Sequence, residues 1–224
     1  MELGLIFENT IRTRVSQRVP LKEISELLGG ATYRVAGNSL NASELHDIDV
    51  YPSTRDQFKD IKTRLHGAKH GLLFESRNAV TATVGGRIVQ LCNYFHETLS
   101  GLVDSFDFSH IQIGVEIKGT NVESLYCTEE YVGTLAGGGT RYLGSAYPLS
   151  SLIRLVKYAK RGDFTGKSWK HDIFVIFKDI VERGFIDYDD YRDQLDAVDL
   201  SYLEESGEAR ELFNVIKKRW IGVE

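Results

Sequence analysis

The chain has 224 residues, 42% of them hydrophobic and 26% charged, with a formal net charge of −5 at pH 7. That length suits one large domain, or an ordinary one with an appendage, and buries about 70% of the unfolded surface. The acidic balance argues against a globally basic nucleic-acid binder, and no apolar run reaches the ~20 residues of a membrane-spanning helix. The opening Met1-Glu2-Leu3-Gly4 lacks the basic and apolar regions of a secretory signal. Cys92 and Cys127 sit in apolar or mixed stretches without metal-ligand spacing, and read as reduced thiols of a cytoplasmic protein. Acid is concentrated between Asp187 and Glu211 and base between Arg154 and Lys170.

Residues 5–29 read as mostly helical: Leu21, Ile24, Leu27 and Leu28 recur at helical spacing, Pro20 fits a first turn, and Gly29-Gly30 supplies a stop. Arg12, Arg14 and Arg18 flank the break and read as a solvated face, with phosphate or RNA contact as the alternative. An apolar-rich strand over 31–36 then ends in Gly37-Asn38-Ser39, and a second strand begins at Asp47-Ile48-Asp49-Val50-Tyr51. Residues i and i+2 of a strand share a face, so Asp47 and Asp49 sit side by side, about 7 Å apart, while Ile48 and Val50 anchor the strand in a core. Two like charges held so close are best tolerated around a cation, and an all-oxygen pair on rigid β-structure suits Mg²⁺ or Mn²⁺. Gly37 has no Cβ, which lets backbone N–H groups approach a phosphate, and Ser39 adds a hydroxyl donor.

The segment 54–66 predicts an amphipathic helix with Phe58, Ile61 and Leu65 inward. Residues 74–84 and 87–94 predict a hairpin closed by Gly85-Gly86, whose turn requires positive φ; Gln90 and Asn93 are polar interruptions of its second arm. A short helix over 96–103 precedes a strand expected over 106–117. Residues 118–147 are loop-rich, and Gly137-Gly138-Gly139-Thr140 lacks the Lys-Ser/Thr ending of a Walker loop and reads as a hinge. Pro148 opens a helix over 149–161 with Leu152, Leu155, Val156 and Ala159 as its apolar stripe and Arg154, Lys157 and Arg161 on another face. The helix predicted over 169–182 carries Ile173, Phe174, Ile176, Phe177 and Ile180 and is expected to be buried. Asp-Tyr-Asp-Asp-Tyr opens an acidic helix over 187–199, and a last helix over 208–220 packs Leu212, Val215 and Ile216.

The pattern apolar-Gly37-Asn38-Ser39, then Asp47-Ile48-Asp49-Val50, resembles the signature of the DNA polymerase beta-like nucleotidyltransferase superfamily, in particular its small viral and phage members. The resemblance is strong over about twenty residues and loose over the next hundred. The resemblance implies that the Gly turn holds a nucleoside triphosphate, that Asp47 and Asp49 bind two Mg²⁺ or Mn²⁺, and that a third carboxylate lies on a neighbouring strand. Asp107, in the phrase Ser105-Phe106-Asp107-Phe108-Ser109, is the first candidate for that third ligand and Glu116 the second. The stretch Arg154-x-x-Lys157-Tyr158 looks like an element expected to face the triphosphate or an RNA strand. Asn38 departs from the usual second small residue of the turn.

An α+β fold is therefore expected, a nucleotidyltransferase-like domain over 1–147 with a mixed, mostly antiparallel sheet of about five strands, followed by a helical portion over 148–224. The expected activity moves an NMP from an NTP onto an acceptor hydroxyl, with an RNA 3′ end (tRNA-like) as the first acceptor and a protein hydroxyl as the next. A nucleotidyltransferase fold that binds nucleotide without turnover and acts through a protein partner is the alternative. Six histidines without H-E-x-x-H spacing, and no Gly-x-Ser-x-Gly elbow, argue against a zinc or serine hydrolase.

Overall fold

The computed structural model describes residues 2–40, 47–67, 71–76, 78–162, 169–187, 190–191 and 194. The chain divides into two compact units, Met1–Gly138 and Gly139–Glu224. Among the described residues, no helix is long and apolar enough to cross a membrane.

The first unit is built on a seven-stranded sheet with the order β3-β4-β5-β2-β1-β6-β7. Its strands are Thr32–Ala36 (β1), Ile48–Pro52 (β2), Gly71–Glu75 (β3), Ala79–Val84 (β4), Arg87–Cys92 (β5), Ile113–Lys118 (β6) and Asn121–Cys127 (β7). Every neighbouring pair is antiparallel except β2 and β5, which run parallel. The fold is thus the expected mixed, mostly antiparallel α+β type. One face of the sheet carries Val35, Ile48, Val50, Val89, Leu91 and Val115. They pack with Ile11 and Val15 of α1 (Glu2–Arg18), Ile24 and Leu27 of α2 (Leu21–Leu27), and Phe58, Ile61 and Leu65 of α3 (Arg55–Gly67). Each such side chain contributes ~1.5–3 kcal/mol on burial, so this single-sided core fixes the register of β2 and sends Asp47 and Asp49 to the other face.

Local chemistry explains where expectation and structure part. The helical stretch over 5–29 breaks after Arg18, with Gly29 and Gly30 at φ 64° and 76° closing α2. The single arm expected over 74–84 is two strands, because the Ser76 hydroxyl accepts from the Asn78 and Ala79 N–H groups and turns the chain. Gly85 and Gly86 have φ 55° and 73°, the positive pair a tight hairpin requires. The strand expected over 106–117 starts only at Ile113: Gln112 donates to the Phe106 carbonyl and accepts from Thr128, folding 106–112 into a bend and a 3-10 turn. Part of the expected loop over 118–147 is β7, followed by α5 (Glu129–Gly133), which the Thr128 side chain caps. The residues of β7 that pack on the core, Val122, Leu125 and Cys127, do not keep a period of two, because the pairing with β6 is irregular at Glu116/Ile117.

In the second unit α6 spans Pro148–Arg161 and ends on Gly162 in the left-handed conformation, as its sequence predicts. The next helix, α7 (Trp169–Arg183), buries Asp172, Ile176 and Ile180, but Phe174 is 75% exposed and Phe177 40%, so the helix expected to be buried is buried on one side. Its inward stripe follows the i, i+4, i+8 spacing alone. Arg183 grips the Asp190 carboxylate and Asp187 accepts from the Asp190 N–H, which makes these acids part of a turn. The rest of the acidic helix expected over 187–199, and the helix over 208–220, lie outside the described residues.

Candidate active site

The site is assembled where β1 runs into a 3-10 turn, Gly37–Leu40, beside the start of β2. Gly37 has φ 84°, a conformation that favours glycine. A Cβ placed there would lie 3.9 Å from Asp49 Oδ2 and 4.0 Å from Phe106 Cε2. The turn, the second aspartate of the pair and the segment carrying Asp107 therefore meet at one point. Asn38 is half-buried. Ser39 is buried and its hydroxyl donates to the Ala36 carbonyl at 3.4 Å, closing its own turn. Arg14 on α1 donates to the Leu40 carbonyl at 2.9 Å and holds the turn from behind, a structural use of an arginine whose sequence context suggests a solvated face.

Asp47 and Asp49 are both half-exposed while Ile48 and Val50 are buried, the alternation that the Asp-x-Asp pattern predicts. Asp49 is in register with Gln90 of β5, and the two carboxylates face Cys92 at the end of that strand. Burial pushes the Cys92 thiol well up, and the charges of Asp49 and Asp47 push it further, against a contact from Tyr51 that lowers it. Phe106 packs on Tyr51 with ring centroids 6.1 Å apart, next to Ala36, Leu102 and Cys92 in a small apolar cluster on this face. Asp107 is buried beside His110, whose pKa burial lowers to about 4 although the Asp107 charge opposes the shift. Asp107 stands on the bend before the 3-10 turn Ser109–Ile111, not on a strand. His46 lies outside the described residues.

Glu116, the second candidate for a third carboxylate, is engaged by Arg34. The Arg34 Nε donates to Glu116 at 2.9 Å, and its other nitrogens donate to the carbonyls of His96 at 2.7 Å and Glu97 at 3.0 Å. Arg34 is buried and directly opposite Glu116 across β1 and β6. The pair anchors the approach to α4 (Leu99–Asp104), which lies on β6 and leads into Phe106 and Asp107. A lone arginine in the otherwise apolar run 33–36 was the sequence signal for this anchor. Gly114 is a second supporting residue that sequence reasoning missed. A Cβ there would lie 2.8 Å from Val103 and 2.9 Å from Leu99, so the close seat of α4 requires glycine.

Among the described residues, no three His, Cys, Asp or Glu side chains gather into a group able to hold a metal ion unaided. Mg²⁺ commonly binds through one or two carboxylates together with substrate phosphates and waters, and a half-exposed aspartate pair beside an uncrowded glycine fits that mode. Arg154 and Lys157 lie on α6 in the second unit. Both are half-buried, and Arg154 donates to the Ser151 hydroxyl at 3.5 Å.

A family described as "Gabija anti-defense 2 family protein" matches residues 19–136, more than half of the chain. No curated protein matches. Among solved structures, the Thermotoga maritima CCA-adding enzyme complexed with tRNA superposes with a TM-score of 0.53 at 16% identity, covering 92% of this chain and 54% of that one. A CCA-adding enzyme in complex with ATP gives 0.54 at 14% identity, over 93% of this chain and 54% of that one. A complex with CTP gives 0.51 at 17% identity, over 92% and 53%. The chain spans about half the length of these enzymes, and at such identities the likeness establishes a nucleotidyltransferase-like fold.

Proposed function

This chain belongs to the Gabija anti-defense 2 family, and we propose that it is a metal-dependent nucleotidyltransferase that moves an NMP from an NTP to an acceptor hydroxyl. The observation that carries the reading is the approach of Gly37 to Asp49: a Cβ built on the turn would lie 3.9 Å from Asp49 Oδ2, an arrangement that transfer from a triphosphate would use. Asp47 and Asp49, joined by Asp107, would hold Mg²⁺ or Mn²⁺, which when bound acidifies a hydroxyl and neutralises triphosphate charge. The turn Gly37-Asn38-Ser39 offers backbone N–H groups and the Asn38 amide to the β- and γ-phosphates. Arg14 keeps that turn in place from its far side. Ile48 and Val50 hold the aspartate pair rigid, so its charges are pre-positioned. The family's description as anti-defense points to a target in the opposing defence machinery.

The reading is tested with α-labelled ATP, CTP, GTP and UTP, Mg²⁺ or Mn²⁺, and cellular macromolecules as acceptors. Transfer by the wild type and none by Asp47→Ala/Asp49→Ala supports it; transfer that survives the double substitution overturns it. A catalytically silent nucleotide-binding protein is the second reading, favoured by the inward Ser39 hydroxyl and the absence, among the described residues, of a preassembled three-ligand group. Tight Mg-NTP binding with no product selects that second reading.

A further inference from the structure

The strand register extends the candidate site into a surface. Reading across the sheet from its free edge, Phe74 pairs with Thr81, Thr81 with Gln90, and Gln90 with Asp49. One row along, Gly71 pairs with Thr83 and Thr83 with Ile88. Paired residues point to the same side, so the row through Gln90 ends at Asp49 and the row through Ile88 runs toward Asp47. Helices α1 to α3 pack on the opposite face, and α4 lies on β6 and β7. On the half of that face formed by β3, β4 and β5, Thr81, Thr83 and Gln90 are half-buried, Ile88 is 44% exposed and Phe74 62%.

Charge decides what fits this surface. Among the described residues of β3, β4 and β5, no side chain on that face is charged; Glu75 points the other way, to Lys62 and His66 on α3. A nucleic-acid strand needs cations along its path, since phosphate neutralisation supplies most of its affinity. The described residues of these strands offer none on this face, on a chain of formal net charge −5. It offers hydroxyls, a carboxamide and apolar side chains, the mixture that recognises polypeptide. At its rim β3 is the last strand of the sheet, and Leu72, Leu73 and Phe74 are all exposed there. Natural edges are normally blunted by charge, so the three exposed apolar residues on this edge point to a strand-like partner.

We propose that the acceptor is a protein, whose extended segment crosses the open face of β3, β4 and β5 and delivers a Ser, Thr or Tyr hydroxyl to Asp47 and Asp49. The proposal rests on the nucleotidyltransferase reading above. Three strand spacings separate Asp49 from Phe74, about 14–15 Å, which about four extended residues span. The modified residue therefore lies about four positions from an apolar anchor that packs against Phe74 and the β3 edge. In the transfer, the side-chain oxygen forms a bond to the α-phosphorus and the bond to the bridging oxygen of the β-phosphate breaks. Pyrophosphate leaves and the hydroxyl proton passes to water, so that R–OH and NTP become R–O–NMP, pyrophosphate and a proton.

The test incubates the full chain with α-labelled NTPs and separately with total protein and total RNA from one cell lysate, then treats the products with protease or RNase. Phe74→Glu and Ile88→Glu run alongside, with the milder Ile88→Gln and with NTP affinity and melting temperature measured for each. The expected result is label that protease removes and RNase does not, cut about tenfold or more by the face substitutions while NTP affinity is unchanged. Label confined to RNA overturns the protein acceptor and leaves the transferase reading standing. Protein label that stays within about twofold in all folded face variants also overturns it. No label in either fraction overturns the transferase reading, and the acceptor with it.

Discussion

Replacing Gly114 by alanine tests how the fold holds the site. The new Cβ would stand 2.8 Å from Val103 Cγ2, 2.9 Å from Leu99 Cδ1 and 3.2 Å from Ala36 Cβ. Contacts under 3 Å are not tolerated, so α4 must lift from β6 or its two side chains must leave their rotamers. Overpacking of this kind costs ~1–3 kcal/mol, which for a chain of this size lowers Tm by roughly 2–12 °C. The damage continues into chemistry, because α4 runs directly into Phe106, whose ring rests on Tyr51 and lies 4.0 Å from a Cβ position at Gly37. A displacement of about 1 Å at a positioned site costs as much as ~100-fold in rate. Gly133→Ala is the control: it lies in α5 with nothing within 4 Å of a built Cβ, so it should hold or raise Tm. Thermal melts and single-turnover transfer rates read both effects. If Gly114→Ala melts and turns over like the wild type, α4 has slack that the account denies it.

Other consequences are equally direct. His110 titrates near 4 in the fold against about 6.5 in the unfolded chain, because burial disfavours its charged form, so its contribution is present above pH 6.5 and is lost as pH falls toward 4. That loss amounts to ~3 kcal/mol, and urea unfolding at pH 7 and 4.5 should show a smaller pH dependence in His110→Gln than in the wild type. Arg34→Ala should destabilise by ~3 kcal/mol in urea unfolding, since it strands Glu116 and the carbonyls of His96 and Glu97. Arg34→Lys should not restore stability, because one ammonium cannot replace the three-way fork. Cys92 should react slowly with disulfide reagents, and faster in Asp49→Asn, since that change removes a negative charge that raises its pKa. An unchanged Cys92 rate in Asp49→Asn would contradict the placement of that carboxylate.

The Asp47-Asp49 pair was legible because strand periodicity alone decides which residues share a face, and two buried neighbours lock that face in place. The glycine turn and the Gly85-Gly86 hairpin were legible for a similar reason: positive φ leaves a mark on composition. Asp107 was expected on a strand and stands on a bend, because that bend is made by Gln112 and Thr128, a side-chain exchange across sixteen residues with no periodic trace. β7 was missed because its core-packed residues, Val122, Leu125 and Cys127, are not evenly spaced by two. The exposed side of α7 was missed because an apolar stripe reports suitability for burial, and Phe174 satisfies the pattern while 75% exposed. The uncharged surface beside the aspartates was invisible until the pairing of β2 with β5 was known, since residues 74, 81, 90 and 49 share a row only through three registers.

The central claim is that Asp47 and Asp49 form the divalent-metal site which nucleotide transfer uses. Mn²⁺ titration followed by electron paramagnetic resonance, with and without the nucleotide that is transferred, tests it most directly. The account predicts weak Mn²⁺ binding alone, strong binding when the triphosphate adds its oxygens, and loss of both in Asp47→Asn/Asp49→Asn at unchanged Tm. Mn²⁺ and nucleotide binding that survive the double substitution would place the site elsewhere and contradict the account.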